Sequence, residues 1–382
     1  MSEQKIVEKI KELYNAKNEF LPLHVPVFIG NEKKYLEETI DSTFVSSVGA
    51  FVNRFEEMMA SITGAKYAIA LVNGTAALHM ALILSGVNEN DEVLSQPLTF
   101  VATANAISYE KAIPHFIDVD EDTMGMSPKA LLTRLEEIAE VKDGECFNKI
   151  TGNRIAACVP MHTFGLPLRI DEIKAICDDF HIPVIEDAAE SLGSYYKGKH
   201  TGTFGLLGTF SFNGNKTVTC GGGGAIITND EELAKKAKHL TTTAKIPHKW
   251  EYIHDEIGYN YRMPNLNAAL ACAQLEQLPK YIENKRETAQ VYKEFFGQID
   301  DINFISEIDE ASANYWLNAI RFNKEKDKID FLEYSNNNGV MTRCIWRLMN
   351  KLDMFVNCPK GNLEIAESLE KTIVNITSSV RL

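Results

Sequence analysis

The chain has no run of ~18 apolar residues, the length a helix needs to cross a bilayer. Its opening stretch, "MSEQKIVEKIKELYNAKNEF", mixes charged with apolar residues where a secretory leader needs an unbroken apolar core. Cysteine is sparse: the seven, at 146, 158, 177, 220, 272, 344 and 358, are odd in number and include no C-x-x-C pair. That pattern argues against a disulfide framework and a structural zinc site, and no metal is expected. Positive charge is also in deficit. A net charge of −14 over 382 residues leaves no basic stripe for nucleic acid or for an anionic membrane surface, so any phosphate must be held by local donors. There is no internal repeat and no low-complexity tract. The expectation is a cytoplasmic globular protein of two or three domains.

What is present is a rhythm. From about residue 67, short apolar runs precede helical stretches: "YAIALV" before "GTAALHMALILSG", "EVLS" before "TFVATANAISYEKA", "RIAACVPMH" before "DEIKAICDDF". "IPVIED", "LGTFSF" and "GAIITN" continue the series, and the last leads into the N-capped helix "DEELAKKAKHL". This alternation predicts an α/β class with a mostly parallel, doubly wound sheet in a large domain over residues 1–263, an N-terminal helical segment included. Beyond "YNYRMP", one long helical pattern begins at Pro264 and Asn265 and leads into a smaller α+β domain over 264–382. There "NYWLNAIRF", "KIDFLEYSNNNG" and "VMTRCIWRLM" read as strand, helix and strand. Doubly wound sheets hold ligands beyond the carboxyl ends of their strands, so the residues there are the candidates for chemistry.

Lys216 follows "LGTFSF" and precedes the four glycines Gly221 to Gly224. A lysine is ordinarily a solvated surface charge, but one held in a dry site gives up its proton more readily and can form a Schiff base. Pyridoxal phosphate would need phosphate donors, a carboxylate for its ring nitrogen and a flat partner. "VNGTAALHMAL" offers Gly74 and Thr75 at a helix N-terminus, which otherwise reads as a plain turn capped by Asn73 or Thr75. Asp187 ends "PVIED", where the alternative is a helix cap; Phe100 and Ser211 stand at two further strand ends, where core and sheet roles are the alternatives. The glycines read as giving the chain behind Lys216 a tight turn and leaving volume for a ligand.

The set "NGTAAL", "TFVATAN", "EDAAES", "FSFNGNK" with its glycines, and "GYNYRMPNLNAALACAQL" resembles the DegT-type pyridoxal phosphate-dependent sugar nucleotide aminotransferases, of the aspartate aminotransferase fold (fold type I). The resemblance implies that Lys216 carries the cofactor, Asp187 pairs with its ring nitrogen and Phe100 stacks on it. It also implies that Gly74, Thr75 and Ser211 hold the phosphate and that Asn260 reaches it from the other subunit of a homodimer. Asn260 can equally shape its local turn.

Glu190, where many members carry histidine or glutamine, resembles the branch that aminates UDP-linked 4-keto-6-deoxy-N-acetylhexosamines on the way to bacillosamine or legionaminic acid. The implied reaction takes an amino group from L-glutamate to C4 of such a sugar; GDP- or dTDP-keto sugars are the alternative substrates. A sugar dehydratase shares the fold but typically has histidine at the position of Lys216. His162, after "AACVPM", and Arg343, in "VMTRCIWRLM", are further candidates for the sugar nucleotide, against structural hydrogen bonding and an ordinary salt bridge.

Overall fold

A computed structural model describes residues 3–16 and 19–381. Seven strands make one central layer: β1 (Tyr67–Leu71), β2 (Glu92–Ser95), β3 (Ile113–Phe116), β4 (Ile155–Val159), β5 (Ile185–Asp187), β6 (Leu207–Ser211) and β7 (Gly224–Thr228). Their order is β1-β7-β6-β5-β4-β2-β3, with β4 and β5 joined through the parallel bridges Cys158 to Val184 and Met161 to Asp187. All neighbours run parallel except β7, which is antiparallel to both β1 and β6. Strands β4 and β7 are buried along their whole length, which explains why "IAACV" and "GAIIT" are continuously apolar or small rather than alternating.

Two helices frame the strand ends. Helix α2 (Gly74–Leu84) follows β1 and is buried nearly all round, Ala77, Met80 and Ala81 packing on the sheet; helix α3 (Val101–Tyr109) follows β2. The long helical pattern after Pro264 is two helices, α4 (Asn265–Leu275) and α5 (Leu278–Phe296). Pro279 has no N–H to extend the ladder of α4 and sits in the first turn of α5, the place a helix tolerates it.

The C-terminal part carries its own antiparallel sheet, with β8 (Ile302–Phe304), β9 (Asn318–Phe322), β10 (Arg343–Cys344) and β11 (Ile373–Ile376) in the order β8-β9-β11-β10. The first helix, α1 (Glu3–Leu13), buries Ile6, Val7 and Ile10 against this sheet and α5, so the chain's beginning packs with its end rather than with the large layer. No helix among the described residues is long and apolar enough to cross a membrane.

Candidate active site

The carboxyl ends of β1, β5 and β6 and the starts of α2 and α3 enclose a cavity of about 290 Å³. At one end Asn73 caps α2, its side chain accepting the Ala76 N–H at 2.8 Å, which leaves the amides of Gly74 and Thr75 facing the cavity without helical partners. Gly74 is required by contact: a Cβ there would lie 2.7 Å from the Ser211 Cβ. Without one, the helix start and the end of β6 close together and bring a hydroxyl beside two free amides, an anion cradle.

At the floor lies Asp187, 2 % exposed. Its Oδ2 accepts from the Thr103 hydroxyl at 2.8 Å and its Oδ1 from the Ala189 N–H at 3.2 Å. Burial pushes its carboxyl up, against the pull of those two donors and of Lys216 and His162. A carboxylate so enclosed gains from a cationic N–H brought to it. Phe100, half exposed at the N-cap of α3, stands over the cavity with Trp346 at a centroid distance of 6.4 Å.

Lys216 enters from the loop after β6. Its Nζ donates to Glu190 Oε1 at 3.0 Å and stands 3.9 Å from the centre of the Trp316 ring. Glu190 is fully enclosed; burial pushes its carboxyl up to about 7 although Lys216 opposes the shift. Its Oε2 accepts the N–H of Phe164, a left-handed residue with φ of 57°. Holding a bulky side chain in that region costs about 1–2 kcal/mol, and Glu190 is one of the contacts that enforce it.

The cradle, the floor carboxylate, the aromatic at Phe100 and the lysine occupy one cavity in the arrangement pyridoxal phosphate needs, and the residues fit that group. The sequence reading missed Trp316 and Trp346. Both belong to segments it assigned to the C-terminal sheet, and Trp316 meets the site through an Nε1–H donated to the Asn215 carbonyl at 2.6 Å, across a separation of 101 residues.

Three candidates lie elsewhere. His162 is wholly buried behind the site: it accepts the Leu168 N–H at Nδ1 (3.3 Å), so its Nε2 carries the proton donated to Glu186 at 3.0 Å. It does not line the cavity, because the β4–β5 pairing turns it toward Glu186. Arg343 is exposed on β10, away from the cavity lining. Asn260 is exposed and bridged to Thr242, beside a groove of about 750 Å³ formed by residues 42–53 with Thr242, Arg262 and Asn265.

The glycines serve the backbone rather than ligand volume. Gly221 has φ of 80°, and a Cβ on Gly224 would overlap the Asn73 carbonyl. A Cβ on Gly222 meets nothing closer than the Val72 carbonyl at 3.7 Å. The close approach fixes β7 against the turn that opens the anion cradle.

Comparison with known proteins gives the same picture. The profile of the DegT/DnrJ/EryC1/StrS aminotransferase family matches residues 28–382. EpsN of Bacillus subtilis (strain 168), whose own assignment as a pyridoxal phosphate-dependent aminotransferase is provisional, is 40% identical over 333 residues, 87% of this chain and 83% of the relative. GDP-perosamine synthase of Escherichia coli O157:H7 is 37% identical over 359 residues, 94% and 93% of the two chains. Among solved structures, the aminotransferase TlmJ from Streptoalloteichus hindustanus superposes with a TM-score of 0.85 at 23% identity, covering 94% of this chain and 93% of that one.

Proposed function

The chain belongs to the DegT/DnrJ/EryC1/StrS aminotransferase family, and from that premise we propose that it moves an amino group from L-glutamate to C4 of a UDP-2-acetamido-4-keto-2,6-dideoxyhexose. It is a pyridoxal phosphate-dependent sugar aminotransferase of fold type I. The observation that carries the reading is Lys216 Nζ at 3.0 Å from the buried Glu190, in a cavity with Asp187 at its floor and the Gly74, Thr75 and Ser211 cradle at its end.

Pyridoxal phosphate, when bound, supplies a carbonyl for the incoming amine and an electron-withdrawing ring. The cradle would hold its phosphate, Phe100 would lie against its ring, and Asp187 would set a negative charge against the ring nitrogen. Lys216 Nζ takes the proton that leaves Cα of glutamate and later delivers one to C4 of the sugar. Glu190, with a carboxyl near 7, can share that proton with Nζ at neutral pH.

Glu190 and the "SFNGNK…GGGG" stretch support the UDP-linked acetamido sugar. The second reading is a GDP-keto sugar, favoured by the GDP-perosamine synthase relatives. Incubation with glutamate and UDP-, GDP- or dTDP-4-keto sugars decides: an aminated UDP product with release of 2-oxoglutarate is expected. Turnover of the GDP or dTDP substrates alone would reject the nucleotide and keep the aminotransferase.

The working unit in this reading is a homodimer with shared sites. Asn260 stands beside a groove rimmed by the exposed Phe44 and Val48, a surface suited to a second copy. Mixing inactive Lys216→Ala and Asn260→Ala chains under subunit exchange should restore roughly a quarter of wild-type activity per site, since one hybrid site keeps both intact residues. Absence of recovery after verified exchange would place Asn260 outside the partner's site.

A further inference from the structure

Behind the Trp316 indole lies a second enclosed lysine that amino transfer leaves unused. Lys285, on α5, is 1 % exposed and forms no ion pair among the described residues. Its Nζ donates instead to two main-chain oxygens, of Trp316 at 3.1 Å and of Ser378 at 2.6 Å. Burial holds its ammonium down to about 7. Removing an ammonium from water without a carboxylate partner is costly, and an unbranched apolar side chain would fill the same channel at less cost. The contacts point to what offsets it, because Trp316 is the residue that meets Lys216.

Among the described residues no carboxylate pairs with this ammonium, and burial is the one cause acting on it. From the N-terminal segment comes His24, whose Nδ1 and Nε2 are both buried; among the described residues neither makes a hydrogen bond of standard geometry, although the Asn215 main chain lies close to the ring. Burial first, then the positive charges of Lys285 and Lys216, hold His24 well below its ordinary value, with only the neighbouring Asn215 main chain pulling the other way. Its ring is therefore neutral between two lysines. Trp316 and Ser378, the latter in the segment after β11, present main-chain oxygens to Lys285, and the loop after β6 presents Lys216, whose carboxylate partner is Glu190.

We propose that Lys285 is a positioning residue for Lys216: by clamping the Trp316 main chain to the segment after β11, it fixes the indole whose face holds Lys216 Nζ and whose Nε1–H holds the Asn215 carbonyl. The route is short and continuous, from Nζ of Lys285 to the Trp316 carbonyl, through the indole, to Lys216 at 3.9 Å and Asn215 at 2.6 Å. A charged donor makes hydrogen bonds about twice as strong as a neutral one, so the clamp weakens when Lys285 loses its proton. The inference rests on the reading of Lys216 as the cofactor-bearing lysine.

The test uses the full chain with pyridoxal phosphate, in the wild type and the variants Lys285→Met, Lys285→Gln and Trp316→Phe. Emission is read in the Glu190→Gln background, because that carboxyl also sits near 7 beside Lys216; the emission lost in Trp316→Phe identifies the Trp316 signal, followed from about pH 6 to pH 9 across the Lys285 transition near 7. With Lys285 intact the signal should step near 7. Lys285→Met should show no step, greater acrylamide quenching and a kcat lower by roughly 10–100-fold, with KM for glutamate within about threefold. Lys285→Gln keeps neutral donors and should lose the step while retaining near-wild-type emission.

A folded Lys285→Met protein with wild-type emission, step and kcat would overturn the proposal and leave Lys285 as an anchor of the segment after β11. If that variant does not fold, Lys285→Gln decides: loss of the step upholds the clamp, and its persistence overturns it. Lys216→Ala is read separately by mass and absorbance. Covalent uptake of the cofactor by that variant would remove the underlying reading of Lys216, whereas the response of Trp316 to Lys285 is measured without reference to it.

Discussion

Strand β5 ends with two carboxylates in succession, and the two faces of the sheet treat them oppositely. On one face Glu186 is saturated: Oε1 accepts the N–H groups of Phe204 and Gly205 at 2.6 and 2.7 Å, and Oε2 accepts the Gly202 N–H at 2.7 Å and His162 at 3.0 Å. On the other, Asp187 opens into the cavity with one hydroxyl and one amide. Both are buried, so burial does not distinguish the structural acid from the functional one. The number of donors already satisfied does: Glu186 has no capacity left for a ligand, whereas Asp187, with two donors, keeps acceptor capacity turned toward the cavity.

The sharpest way to break this comparison is to neutralise each acid. Asp187→Asn should remain folded and at least as stable, since it removes a charge held up by desolvation, yet lose about 10²–10³-fold in kcat as the ring nitrogen loses its counter-charge. Thermal unfolding and half-reaction rates with glutamate measure the two effects. Glu186→Gln should do the reverse. Its amide nitrogen would face the Gly202 N–H, leaving a buried donor unpaired at a cost of about 2–3 kcal/mol, while kcat of the folded fraction stays near wild type. Equal losses of activity in the two variants would mean that the faces are not functionally distinct.

How much of this was legible in the sequence follows the same division. Gly74, Asp187, Ser211 and Lys216 stand at the ends of apolar runs, where strand length and alternation fix which side a residue meets, so a local reading reached them. Strand β3 does not stand out as an apolar run because Pro114 and His115 interrupt its pattern; Pro114 is tolerated because β3 forms the edge of the layer, where a missing N–H does little harm. The destination of His162 depends on Glu186 and on the 202–205 loop that cages it, and nothing near residue 162 encodes that. Trp316 and Lys285 reach the lysine from the C-terminal part, and only tertiary packing shows that a residue 101 positions away completes the site. The antiparallel β7 was also hidden, since "GAIIT" is as continuously apolar or small as its parallel neighbours.

A smaller effect separates Asp187 from Glu190, the third acid of the segment. The Glu190 carboxyl sits near 7 in the folded chain, above its ordinary value of 4.5, so folding takes up a proton between those limits. Stability is then full below about 4.5 and falls as pH rises toward 7, by about 3–4 kcal/mol, beyond which the slope from this group ends. Glu190→Gln should flatten that part of the urea-denaturation pH profile of the cofactor-free protein. An unchanged slope would assign it to another group.

The smallest effects concern the glycines behind Lys216, where two neighbours in sequence should behave differently. Gly224 lies beneath the Asn73 carbonyl, so Gly224→Ala must push β7 away from the turn that precedes α2. Overpacking of this kind typically costs about 1–3 kcal/mol. The displaced turn carries the Gly74 and Thr75 amides, so cofactor affinity should fall along with stability. Gly222→Ala adds a methyl whose nearest neighbour is 3.7 Å away, at a residue whose φ is not in the left-handed region. The carbonyl of Gly222, which accepts from the Asn267 side chain at 3.0 Å, is untouched by the change. Stability should therefore shift by no more than about 0.5 kcal/mol, and the reduced freedom of the unfolded chain can make the shift favourable. Cofactor titrations of the two alanine variants, followed by absorbance, set the pair against each other. If Gly222→Ala loses cofactor while Gly224→Ala keeps it, the run serves ligand volume after all and not the approach of β7 to the cradle.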